Sequence, residues 1–132
     1  MRTALLDTSF LIDLADEVAE GKEGPASRTL RRLGRSRIYI SAVTVAELLE
    51  GPEDPALAAV ELSAYRFLTV GWGAARRCAL NQSRTARRMG ENDAWQAALS
   101  GQAGHQLVGH DHAFEGLSWL DYLDHRKGAS AS

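Results

Sequence analysis

An excess of positive charge is missing from this sequence. Its 132 residues carry 15 Lys and Arg against 17 Asp and Glu, a formal net charge of -2. No chain-wide field exists to hold a polyanion non-specifically, so any nucleic-acid contact must come from local patches. Cysteine is reduced to Cys78 alone. It cannot close an internal disulfide, which fits a reducing compartment and a fold without covalent staples, and it reads as a small buried hydrophobe. Long apolar runs are lacking too. None approaches the roughly 18 residues needed to span a bilayer, and the amino terminus has no signal-peptide pattern. A cytoplasmic location with no membrane partner is therefore expected. No internal repeat or inter-domain linker appears, and the length suits one domain with a real core. That domain is expected over residues 1–126, with a small, polar, flexible tail over 127–132.

What is present is organised around Arg2 to Leu14, RTALLDTSFLIDL, where a short apolar run stops at Asp7 and a helical pattern begins. This spacing predicts a buried strand that delivers a carboxylate to its C-terminal end, facing the crevice where open α/β sheets bind ligands. Thr8 or Ser9 can cap the following helix, with Phe10, Leu11, Leu14 and Val18 on its apolar face and Asp13 and Asp16 on the wet side. Strands are predicted at 3–6, 38–40, 106–108 and 118–122, with helices between them and RFLTVGW as an apolar link. The fold class is α/β, with a mostly parallel sheet between helical layers.

Three further acids sit at comparable junctions. Ser41 caps a helix ending at Gly51 and Pro52, and this helix offers Glu47 and Glu50. Glu47 lies one turn after Val43, whereas Glu50 falls in the last turn, where the helix dipole disfavours an acid. Glu47 is the better candidate. Asn92 can cap the next helix, placing Asp93 in its first turn, where the dipole keeps it ionised. Asp111 repeats the arrangement of Asp7: strand, carboxylate, turn. Glu47 alone would read as an ordinary surface glutamate and Asp93 alone as a plain helix-start aspartate, and it is the set of Asp7, Glu47, Asp93 and Asp111 that suggests a site.

Two basic runs remain open between phosphate contact and a solvated helix face: Arg28, Arg31, Arg32, Arg35 and Arg37, and then Arg76, Arg77, Arg84, Arg87 and Arg88. In the helix expected from Gly73 to Met89, Ala75, Cys78 and Ala79 form the core stripe. His110 and His112 flank Asp111, but alternate strand positions face opposite ways and do not complete a transition-metal set. Trp72, Trp95 and Trp119 read as core or dimer interface rather than as base-stacking platforms.

Four blocks, LLDTSFLIDL, ISAVTVAELLEG, GENDAWQAAL and LVGHDHAFEGLSWLDYL, resemble in order those of a PIN domain. The chain is most similar to small VapC-type toxins of toxin-antitoxin pairs. The likeness covers nearly the whole chain and is thinnest near Lys22 and from Pro52 to Arg66. It implies a three-layer α/β/α fold and assigns Asp7, Glu47, Asp93 and Asp111 as the catalytic, metal-binding acids of an endoribonuclease. It also implies an RNA substrate, a cognate VapB-type antitoxin and a homodimer. This sequence departs from the pattern at Ser9, where Asn is frequent, at Gly109, where Thr or Ser is usual, and at His110, where a small polar residue is common.

The chemistry follows without the family as well. Clustered carboxylates repel one another, and some take up protons unless a cation relieves them. Mg²⁺ or Mn²⁺ suits oxygen ligands and activates water for phosphodiester hydrolysis. The rival expectation is a non-catalytic module that keeps the fold only to bind a partner protein.

Overall fold

Alternation along the strands decides the layering. In the computed structural model, which describes residues 3–34 and 37–128, the three residues of β1 (Ala4–Leu6) are all buried. Ala4 and Leu6 enter one core cluster and Leu5 the other, because successive side chains of a strand face opposite ways. The first cluster takes Phe10 and Leu11 from α1 (Thr8–Glu20), Ala26 from α2 (Pro25–Leu33), Val45 and Leu48 from α3 (Ala42–Leu49) and Leu62 from α4 (Pro55–Leu62). The second takes Ala74 from α5 (Trp72–Ser83), Ala94, Ala97 and Leu99 from α6 (Glu91–Ala103), and Phe114 from a 3₁₀ turn, His112–Phe114. Helices thus cover both faces of the sheet, as expected for an α/β/α fold.

The sheet adds β2 (Ile38–Ser41), β3 (Arg66–Leu68), β4 (Gln106–Gly109) and β5 (Tyr122–Asp124) in the order β3-β2-β1-β4-β5, and every pairing is parallel. The chain builds outward from β1 through β2 to β3, then returns to lay β4 on the other side of β1. The strand order reverses between β1 and β4, and the crevice beyond their carboxyl ends is the topological switch point.

Several expected boundaries move. The apolar link contains β3, an edge strand whose Phe67 is 52% exposed, so it lacks the buried apolar run that marks the inner strands. The last strand is Tyr122–Asp124 rather than 118–122: its register pairs Leu107 with Tyr122 and Val108 with Leu123, while Trp119 and Leu120 pack into the second cluster as a loop. Helix α1 is capped by Asp7 itself, and Val18 is 72% exposed. Helix α5 stops at Ser83, because the Gln82 amide bonds both the N–H and the carbonyl of Met89 at 2.9 Å and folds the segment back. Its buried positions are Ala74 and Asn81, with Cys78 half-buried and Ala79 exposed. Helix α6 is capped at Gly90 rather than Asn92, and Gly104 closes it at φ 73, a left-handed turn suited to glycine.

A short α7 (His125–Gly128) carries the described fold two residues past the expected domain end at 126. Arg35 and the tail residues 129–132 lie outside the described residues.

Asp13 is not on the wet side. Arg126 donates to it from Nε at 2.8 Å and Nη2 at 2.9 Å, and the fully buried His125 lies 2.7 Å away through Nε2. These contacts, Arg126 foremost, hold the Asp13 carboxyl below its ordinary range. A depressed folded-state pKa gives stability that is present above the unfolded value, about 3.9, and lost as pH falls through the folded value. Asp13→Ala is expected to lower stability by about 1–2 kcal/mol at pH 7, with the deficit shrinking in acid. Urea unfolding at neutral and acid pH measures this, and an unchanged midpoint at pH 7 would contradict it.

Candidate active site

Each expected acid reaches the switch-point crevice from a different element. Asp7 follows β1 and caps α1: its Oδ2 accepts the Ser9 hydroxyl at 2.6 Å and the Ser9 N–H at 3.2 Å, and its Oδ1 accepts Gln96 Nε2 at 3.1 Å. It is 4% exposed. Burial pushes its carboxyl above the ordinary range against the pull of Ser9 and Gln96, and the charge of Asp111 adds to the rise. Glu47, on α3, accepts the Thr8 hydroxyl at 2.7 Å through Oε1, whereas Glu50 is the exposed C-cap. Asp111 follows β4 and caps the 3₁₀ turn through the Ala113 N–H at 2.9 Å. The Tyr122 hydroxyl accepts the Asp111 N–H and donates to the Gly109 carbonyl, each at 3.1 Å.

Asp93 sits in the first turn of α6, half-buried, and has no hydrogen-bond partner among the described residues. Its carboxyl is pushed up to about 6, first by burial and then by the charges of Asp111, Asp7 and Glu47. The charges of Asp111, Asp7 and Glu47 therefore all bear on Asp93, that of Asp111 also bears on Asp7, and among the described residues no cationic side chain contributes to either shift. The helix dipole at Asp93 does not outweigh burial beside three like charges.

Among the described residues, no three His, Cys, Asp or Glu side chains already stand as a ready-made cation cage. Asp7 is turned onto Ser9 and Gln96, Glu47 onto Thr8 and Asp111 onto an amide. The donor set still fits a hard divalent cation, since it is oxygen-rich and uncompensated. The histidines are engaged elsewhere: His110 Nδ1 lies 3.1 Å from both Asp124 oxygens and His112 Nδ1 lies 3.3 Å from Glu115.

Sequence reasoning missed the neutral groups between the acids. Gln96 is 1% exposed and also bonds the hydroxyls of Thr44 and Ser41, each at 2.6 Å. The Thr8 hydroxyl lies 3.2 Å from that of Thr44. The spacing held a signal, because Gln96 stands three residues after Asp93 and Thr44 three before Glu47, which puts each on the helix face of its acid. The departures at Ser9 and Gly109 are linked. The Ser9 hydroxyl donates to Asp7 and accepts the His110 N–H at 2.9 Å, joining the β1 and β4 ends. A Cβ at Gly109 would lie 2.8 Å from Asp7 Cβ and 2.9 Å from Ser9 Oγ, so glycine leaves room for this junction.

The PIN domain family model matches residues 4–120. The chain belongs to the PIN domain family. No curated protein matches it by sequence. Among solved structures, this PIN domain is similar to a DNA-bound VapBC from Salmonella typhimurium, with 26% identity over 95% of this chain and 99% of that one and a TM-score of 0.74. It is also similar to VapBC-5 from Mycobacterium tuberculosis, with 25% identity, coverage of 93% and 98%, and a TM-score of 0.63. A toxin-antitoxin complex from Klebsiella pneumoniae shares the fold at 20% identity, with coverage of 93% and 98% and a TM-score of 0.76.

Two outcomes follow from this geometry. Gly109→Ala is expected to cost about 1–3 kcal/mol by overpacking, measured by chemical unfolding, and an unchanged midpoint would mean that the junction has slack. Asp93→Asn should stabilise the metal-free protein. With a folded value near 6 above the ordinary 3.8, the native state binds more protons, so stability falls as pH rises between those values. The gain should be on the order of 1 kcal/mol above pH 6, after allowing for solvent screening at a half-exposed group, and absent below about pH 4. Equal melting temperatures for the two proteins at pH 8 would contradict this.

Proposed function

We propose that this PIN domain is a metal-dependent endoribonuclease acting as the toxin of a VapBC-type pair. The observation that carries the proposal is that Asp93 feels the charges of Asp111, Asp7 and Glu47 at the switch point, with no side-chain cation among the described residues contributing to the shift of Asp7 or Asp93. Asp7 and Asp93 would hold Mg²⁺ or Mn²⁺, with Glu47 and Asp111 supporting it. A bound cation supplies an activated water and neutralises charge on the departing phosphodiester oxygen. The chain's own residues orient the acids: Ser9 fixes Asp7, Thr8 fixes Glu47 and the Ala113 amide fixes Asp111. Exposed Arg87 and Arg88, shortly before Asp93, suit an RNA backbone. RNA as the substrate rests on the family resemblance.

The similar VapBC structures support a VapB-type antitoxin as partner. An apolar groove between α1 and α4, lined by Leu11, Leu14, Val18, Leu62 and Tyr65, suits such a protein partner. An arginine from the antitoxin would find Asp93 the freer seat, since both Asp7 oxygens are already bonded. Trp72, 80% exposed and close along the chain to exposed Phe67 and Val70, fits an interface better than a core and supports a homodimer. A cytoplasmic site of action is consistent with the helices: among the described residues none is long and apolar enough to cross a membrane.

A binding-only module would gain nothing from a buried, uncompensated acid cluster that costs stability. The purified protein is expected to cleave RNA in the presence of Mg²⁺ or Mn²⁺, and EDTA or Asp7→Asn should abolish cleavage. Activity retained by folded, purified Asp7→Asn would overturn the assignment.

A further inference from the structure

Gln96 occupies a helix position that packing alone would fill with an apolar side chain. Its neighbours on α6, Ala94, Ala97, Ala98 and Leu99, are all buried, and Gln96 itself is 1% exposed. A primary amide at such depth costs free energy unless its hydrogen bonds are made. Here they are: both Nε2 protons are used, toward Asp7 Oδ1 at 3.1 Å and the Thr44 hydroxyl at 2.6 Å, and Oε1 accepts the Ser41 hydroxyl at 2.6 Å. The orientation is fixed by Asp7, because the flipped amide would set its carbonyl oxygen against the carboxylate.

The partners come from three elements. Asp7 ends β1, Ser41 and Thr44 begin α3, and Gln96 rides on α6 one turn after Asp93. Thr44 meets the hydroxyl of Thr8, which in turn donates to Glu47. One uncharged side chain therefore fixes Asp7 directly and connects it, through hydroxyls, to Glu47. Its chemistry bears on function. Arg or Lys beside the carboxylate would cancel its charge. An amide orients the carboxylate and leaves the full negative charge available to a cation.

We infer that Gln96 is a positioning residue that holds Asp7 in the orientation required for divalent-cation binding, acting through Asp7 without touching the cation or the substrate. This assignment rests on the metal-dependent chemistry proposed above.

The test compares wild type, Gln96→Leu and the double variant Gln96→Leu/Thr44→Val, using Mn²⁺ titration calorimetry and urea unfolding. Loss of a group that orients a metal ligand weakens metal affinity by roughly 10–100-fold, and that loss is expected in Gln96→Leu together with a lower unfolding midpoint. In the double variant the stranded Thr44 hydroxyl is gone, so the midpoint should move back toward wild type while the Mn²⁺ affinity stays weak. Should Gln96→Leu fail to fold alone, the double variant carries the same comparison. Affinity equal to wild type in either folded variant, or affinity that returns together with stability, would overturn the role of Gln96. Wild-type protein that binds no Mn²⁺ would instead overturn the metal assignment, and this inference with it.

Discussion

Like charges held close together at the carboxyl edge of a parallel sheet are the constraint that shapes this molecule. Asp7 and Asp111 arrive there because β1 and β4 are neighbours at the point where the strand order reverses. Glu47 and Asp93 join them from helices on opposite faces of the sheet. Burial and the charges of Asp111, Asp7 and Glu47 raise Asp93 to about 6, and among the described residues no arginine or lysine contributes to the shift. What holds the cluster in place is a set of neutral donors: the hydroxyls of Thr8 and Ser9, the Gln96 amide and the Ala113 N–H. Neutral donors restrict direction without removing charge, which is what the proposed cation site requires and a structural ion-pair network does not.

The rest of the fold offsets the cost of that cluster. Two apolar layers pack against alternate residues of the same short strands. The first helix does double work, since Glu17 accepts the N–H groups of Gly24, Ala26 and Ser27 at 2.8–2.9 Å and so caps α2, while Asp13 clamps the C-terminal turn through Arg126 and His125. Asp13 and Glu17 on α1 are thus supplied with donors and held below the ordinary carboxylate range, whereas Asp7 and Asp93 in the crevice are held above it. Identical chemistry is steered in opposite directions by the partners that each position finds.

Legibility of these features in the sequence followed their physical cause. The inner strands β1 and β4 were readable because parallel strands buried on both faces appear as unbroken apolar runs that end at a polar residue. The same pattern located Asp7 and Asp111, and helix phase separated Glu47 from Glu50. Edge strand β3 was hidden because Arg66 and Phe67 are exposed, and β5 was displaced because Trp119 and Leu120 supply an apolar run that packs as loop. Asp7 as the cap of α1 is not legible in the sequence, since Thr8 and Ser9 offer equally good capping chemistry next door. Gln96 was the least legible, because a polar residue inside a helix usually marks a wet face and only its partners from β1 and α3 reveal otherwise.

The central claim is that the four carboxylates form one cation site. Anomalous diffraction from a crystal of this protein grown with Mn²⁺ tests it most directly. The account predicts an anomalous peak in the switch-point crevice within coordination distance of Asp7 and Asp93. A fully bound ion located elsewhere on the molecule, with the crevice acids still turned only onto their neutral donors, would contradict it.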